Sequence, residues 1–394
     1  MQSKVQSFKE HLRTRYLYLL TGVVFLGACA SNVSFDWPES NPFAAYAKTT
    51  LEDYPSSGLS KLDLVFSANV FGETDPCGCA SGPKGGLDRR LNFLRMEPSF
   101  GDRLVLDAGN ALFSSENLDP ARVDFLKKRA SALLQGAQTM GVRAFNVGYL
   151  DLGGGLDFLK SEARKYKTPF VSASLISQDP TGDSWFSPYI DLQVSSMNIR
   201  VTGLTAGRKD LPATLKLRGV DEALKQVISK GSSANLLVVL SDLGRQEDER
   251  LLARDFGIPM VIIGSRDLSS LDRPMVHGKQ ILVQPQFRGQ QWGRLRILAN
   301  LKSQGWFNLG QAADFNKRWA EINDKYNQYE KRKSGSERST EMRNQIMVAE
   351  ELLGQGPGAT GENRSVFSYD LIDLGAKFMK SNELSKVMNE VADH

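Results

Sequence analysis

Reactive side chains are few in this chain of 394 residues, and the densest group is Cys77-Gly78-Cys79. Two thiolates separated by one residue can bind a soft metal, close a strained small-ring disulfide, or exchange with other thiols. Alone they do not complete a tetrahedral zinc site. An oxidised pair that staples its own loop is the structural alternative. Haem attachment is excluded, because no Cys-x-x-Cys-His pattern occurs. Histidine is scarce, with only three in the chain. His277 lies in Val276-His277-Gly278-Lys279, a polar turn where an imidazole is expected to be solvated rather than ligating. Gly153-Gly154-Gly155 lacks the Gly-Lys-Ser/Thr of a phosphate loop.

A third cysteine carries different chemistry. Lys4, Lys9, Arg13 and Arg15 precede an apolar run from Tyr16 to Leu26, too short for a span that needs about 20 apolar residues. Leu26-Gly27-Ala28-Cys29 then looks like a bacterial lipobox, which implies a signal peptide over 1–28 and Cys29 as acceptor of diacylglycerol and palmitate. Several acyl chains anchor stably where one does not. Ala30 is not acidic, which favours the outer membrane with the protein facing the periplasm. The membrane is thus an expected partner through the lipid alone. With the four basic and one acidic side chains of 1–28 removed, 45 basic and 44 acidic remain, a balance that gives no footprint for nucleic acid.

Residues 29–60 lack periodicity and read as a tether. From Lys61, short apolar runs recur: Leu62–Phe66, Leu104–Leu106, Ala144–Val147, Phe170–Ala173, Ile199–Leu204, Leu236–Leu240, Met260–Ile263 and Gln280–Val283. Segments of helical period, such as Val123–Met140 and Leu156–Tyr166, lie between them. Buried strands alternating with helices predict a layered α/β domain over 61–300, with its site beyond the carboxyl ends of the strands. Trp185-Phe186 and Trp292 read as packing or edge aromatics. Beyond 300, Phe315, Trp319, Ile322, Tyr326 and Tyr329 form a heptad-like stripe. A second helical stretch over 337–353 predicts an antiparallel hairpin, so 301–394 is expected to be a helical extension separable from the domain. Its stripe offers a surface for a protein partner, or packs at home.

The strand ends resemble the 5′-nucleotidase-like branch of the calcineurin-like metallophosphoesterases. The resemblance covers about 61–300 and rests on ordered loops: Leu64 to Gly72, Gly85-Gly86-Leu87-Asp88-Arg89-Arg90, Leu104 to Asn110, Val147 to Leu150, Val239 to Gly244 and Ile262 to Arg266. It implies a β-sandwich flanked by helices, and two divalent metal ions serving a phosphoric ester hydrolase.

At the ligand positions the sequence departs from that pattern. The first loop's Asp and His are Asn69 and Phe71, and the second loop's bridging Asp is Asn110. The third loop's Asn-His pair is Tyr149-Leu150, the fourth loop's His is Asp242, and the last loop's histidines fall near Arg266 and Leu268. A dimetal centre needs imidazoles and carboxylates to hold two cations about 3.5–4 Å apart. Amides, a phenyl and an isobutyl group do not replace them. No metal or other cofactor is therefore expected, and no catalytic residue. The reading is a binding or scaffolding module on a phosphoesterase fold. A phosphohydrolase with a rebuilt site is the first alternative, and a thiol role at Cys77 and Cys79 the second. Arg266 is expected to fill the cation's place by pairing with Asp242, Asn69 and Asn110, or else to bind an anionic ligand.

Overall fold

The structure, a computed structural model, describes residues 41–77, 82–178, 185–207, 211–229, 233–331, 364–378 and 384, apart from 42, 47 and 304. Residues from 43 onward form two mixed sheets packed face to face. The first is built on four parallel strands, β1 (Ser60–Ser67), β2 (Asp102–Asp107), β3 (Val142–Asn146) and β4 (Phe170–Val171). On the other side of β1 run β13 (Gln291–Ala299), β15 (Ser365–Asp373) and β14 (Trp306–Asn308). The second sheet has a parallel centre of β7 (Met197–Leu204), β9 (Leu236–Ser241), β10 (Met260–Gly264) and β12 (Gln280–Val283). Antiparallel edges β6 (Tyr189–Val194) and β11 (Met275–His277) flank it, and β5 (Leu175–Ser177) pairs with β8 (Leu215–Leu217) apart from both sheets.

Period-two alternation decides which side chains meet between the sheets. Leu62, Leu64 and Phe66 of β1 face inward and join Ile199, Val238 and Val261 in one apolar layer. The alternate side chain Val65 packs on the outer face with α1 (Leu87–Met96), α2 (Val123–Thr139) and α3 (Leu156–Tyr166). On the far face, α4 (Val220–Ser229) and α5 (Arg245–Leu252) cover Leu237, Val239 and Ile262. Four layers therefore result, helices outside and sheets inside. Both parallel strand sets end at the same edge of the sandwich, so the loops after β1, β2, β3, β9 and β10 converge there. Among the described residues no helix is long and apolar enough to cross a membrane.

The expected separation at 300 is corrected. β15 lies between β13 and β14, hydrogen-bonded to both, so the chain returns after residue 363 to finish the first sheet. Leu374, Phe378 and Leu384 are buried in the same cluster as α1 and α2. The first helix of the expected hairpin exists as α6 (Leu309–Lys331). Its stripe is not free for a partner at Phe315 and Trp319, whose rings pack on Phe43 at centroid distances of 5.7 and 6.0 Å. Phe43 and Leu51 are buried, so the tether, as far as it is described, belongs to the fold. The second hairpin helix, the signal peptide and Cys29 lie outside the described residues. Trp292 is a core residue with no exposure, not an edge aromatic.

Candidate functional site

Short polar residues at the strand ends let backbone and side chains of different loops meet without solvent. Gly148 shows the requirement, because a Cβ there would come within 2.3 Å of the Asn110 main-chain nitrogen. Asn146 joins the sheets: its Nδ2 donates to Ala108 O at 3.0 Å in one and to Leu204 O at 3.1 Å in the other.

Asn110 is the centre of the site. Its Nδ2 donates to Asp242 Oδ1 at 2.6 Å and lies 3.3 Å from Asn69 Oδ1, while its Oδ1 accepts from Leu150 N at 3.1 Å. Asp242 Oδ2 accepts from Tyr149 N at 2.7 Å. Asn69 Oδ1 also accepts from Arg266 N at 2.9 Å, and its Nδ2 donates to Asp267 O at 2.9 Å. The structure thus brings together Asn69, Asn110, Asp242 and the main chain of Tyr149, Leu150 and Arg266. Phe71 joins through its main-chain nitrogen, which donates to Asn110 O at 3.0 Å.

The expected pairing of Arg266 with Asp242 is corrected, because the two form no ion pair. Arg266 is exposed, and its guanidinium lies 4.6 Å from the centroid of the half-buried Tyr149 ring. The Asn110 amide and Tyr149 N already occupy the carboxylate, so the guanidinium has no place beside it. Arg266 still acts on Asp242 through its charge. Burial pushes the Asp242 carboxyl up to about 6, against the hydrogen bonds from Tyr149 and Asn110 and the charge of Arg266.

Other groups that hold the site carry no expectation from the sequence. Asp151, fully buried, accepts from Asn110 N, Gly148 N and Leu112 N at 2.8–2.9 Å, and so binds the second and third loops together. Burial raises its carboxyl to about 8 despite those donors. Arg90, from the Gly-Gly-Leu-Asp-Arg-Arg run, donates to Ser67 Oγ at 2.7 Å and lies 3.8 Å from Asp107. Its guanidinium is 4.8 Å from the Trp292 ring centroid. The signal for Asp107 and Asp151 was a charged residue beside each loop's small residues, a pattern that also describes ordinary surface turns.

These residues do not fit a pair of divalent ions. The site offers one carboxylate and two amide oxygens, and every one of those oxygens already accepts an N–H. An amide nitrogen sits between Asn69 and Asp242 where a cation would have to bind both. His277 is exposed on β11. The thiol pair is a separate feature. Cys77 N donates to Lys84 O at 2.9 Å, and Gln290 Nε2 lies 2.8 Å from its sulfur; Cys79 lies outside the described residues.

No family model and no curated protein matches the chain. Solved structures do. A sulfate thiohydrolase, SoxB, from Thermus thermophilus superposes with a TM-score of 0.58 at 15% identity, over 85% of this chain and 61% of that one. A 5′-nucleotidase precursor, also from Thermus thermophilus, gives 0.52 at 22% identity, over 62% of this chain and 52% of that one. A calcineurin-like phosphoesterase, YfkN, from Bacillus subtilis gives 0.56 at 12% identity, over 85% and 97%. The chain has the 5′-nucleotidase-like metallophosphoesterase fold. It spans about half of the 5′-nucleotidase precursor and three fifths of SoxB. At these identities the likeness speaks for fold, and the chemistry has to be read from the site.

Proposed function

We propose that this chain is a non-catalytic binding or scaffolding module on a metallophosphoesterase fold. The observation that supports it is the Asn110 amide, which bridges Asn69 and Asp242. A closed hydrogen-bond network does for the loops what metal ligation does in a dimetal enzyme, but supplies no Lewis acid and no activated water. Hydrolysis of a nucleoside monophosphate and of a phosphodiester, assayed with added Mn²⁺, is expected to stay at the level of the uncatalysed reaction. Turnover that disappears on changing Asn69 and Asn110 would instead establish a rebuilt hydrolase.

We also propose that the module is a lipoprotein of the bacterial envelope, anchored at Cys29 in the outer membrane and facing the periplasm. The basic segment, the short apolar run and the Leu-Gly-Ala-Cys sequence support this. Mass spectrometry of the mature N-terminus is expected to find an acylated Cys29, absent in Cys29→Ser. A mature chain starting elsewhere overturns the assignment.

A further inference from the structure

Phe71, Arg266 and Arg288 are bulky residues held at φ +55°, +73° and +59°. Left-handed backbone at such side chains is uncommon and gathers where function holds it in place. Asn69 holds two of the three. Its Oδ1 accepts from Arg266 N at 2.9 Å and its main-chain oxygen accepts from Arg288 N at 2.7 Å, so one buried residue seats both arginines on the same rim. Their side chains turn outward. Arg266 is exposed over the Tyr149 ring, and the Arg288 side chain is 52% exposed. Two residues from Arg266, Leu268 is 58% exposed, among the largest apolar exposures of the described residues.

Among the described residues, charge on this rim is unbalanced. The carboxylate facing Arg288 is Glu73, at 3.9 Å, and Glu73 also receives Arg129 at 3.0 Å. Asp267 turns its carboxylate back to the main-chain nitrogen of Arg245, at the start of α5. Asp242 is buried beneath and occupied by N–H donors. Guanidinium groups beside a tyrosine ring are of the residue types that dominate protein-binding hot spots. Asn69 fixes the main chain under both arginines by hydrogen bonds, which lowers the ordering cost of binding.

Resting on the reading of the site as non-catalytic, we propose that the Tyr149, Arg266, Leu268 and Arg288 rim docks an acidic segment of a partner protein that alternates carboxylate and apolar side chains. Carboxylates of the segment would engage Arg266 and Arg288 as charge-assisted pairs, and its apolar side chains would cover Leu268 and Tyr149.

A fluorescein-labelled peptide alternating Glu and Leu, titrated with the whole mature protein, tests this by anisotropy, with the matching Lys and Leu peptide alongside. Saturable binding of the acidic peptide is expected, weakening with salt and falling about tenfold or more in Arg266→Ala with Arg288→Ala. Arg266→Glu with Arg288→Glu should reverse the preference toward the Lys peptide. Arg250→Ala, an exposed arginine on α5, should leave affinity unchanged. Absence of saturable acidic binding, or equal affinity in the double alanine variant with an unchanged melting temperature, overturns the proposal. Complete displacement by inorganic phosphate also overturns it, since that would mark a small-oxyanion site. These outcomes leave the hydrolysis assay untouched, so loss of the docking surface and loss of the non-catalytic reading are separable.

Discussion

Asn110→Gly should destabilise the protein by about 3 kcal/mol at neutral pH, because it removes the side chain between Asn69 and Asp242 and leaves one oxygen of a buried carboxylate without its donor. Glycine is the informative replacement. Asn110 sits at φ +56°, a conformation glycine adopts freely, so no backbone strain is added and the loss reports the amide together with the entropy of a freer unfolded chain. Asn110→Leu should cost about 1–2 kcal/mol more, from a branched side chain forced left-handed. The loss also depends on pH. Asp242 titrates near 6 in the folded protein, above the ordinary carboxyl value of the unfolded chain. A raised acid favours the folded state at low pH, and that advantage fades as pH rises through the folded value. Without Asn110 the charged form loses one of its donors, so its value in the fold rises further. The deficit of Asn110→Gly should therefore be small near pH 5, where Asp242 is neutral in both proteins, and grow above pH 6. Denaturant melts at the two pH values check this. A pH-independent loss below about 0.5 kcal/mol would mean that the bridge is incidental.

Ending the chain at Asn300 should prevent folding. The cut removes α6, β14 and β15, leaving the β13 edge unpaired along eight residues. Val366, Phe367, Leu374, Phe378 and Leu384 leave the core with them, and Tyr369 no longer stacks on Phe66. Burial of five such side chains is worth on the order of 10 kcal/mol, comparable with the whole stability of a domain. An open apolar edge also templates aggregation. Light scattering and far-UV circular dichroism of the truncated chain should find aggregate or unfolded material. A soluble fragment that melts cooperatively would show that the sheet is complete without β15.

Much of the sandwich was legible because its central strands are uninterrupted apolar runs, such as Leu236–Leu240 and Met260–Ile263. β13 was hidden by Arg294 and Arg296, which break the run Trp292 to Ala299. Arg294 is tolerated there because both oxygens of the buried Asp63 on β1 receive it, at 2.9 and 3.0 Å, a partner no local pattern displays. β15 was hidden by distance, since its pairing partner β13 lies more than 60 residues earlier and the intervening sequence reads as helix and loop. At the site, Asn69, Asn110 and Asp242 could be placed by loop order. What could not be read was direction: Arg266 sends its main chain inward and its guanidinium outward, a choice set by the left-handed backbone at φ +73°.

In the proposed reading, the Asn110 amide stands where a dimetal enzyme holds its ions. Elemental analysis of the purified mature protein, after incubation with Mn²⁺ and Zn²⁺ and removal of free ions, tests it most directly. No stoichiometric transition metal is expected at the strand ends, because every side-chain oxygen of Asn69, Asn110 and Asp242 already accepts an N–H. Two such ions per chain, lost when Asn69 and Asn110 are changed, would contradict it.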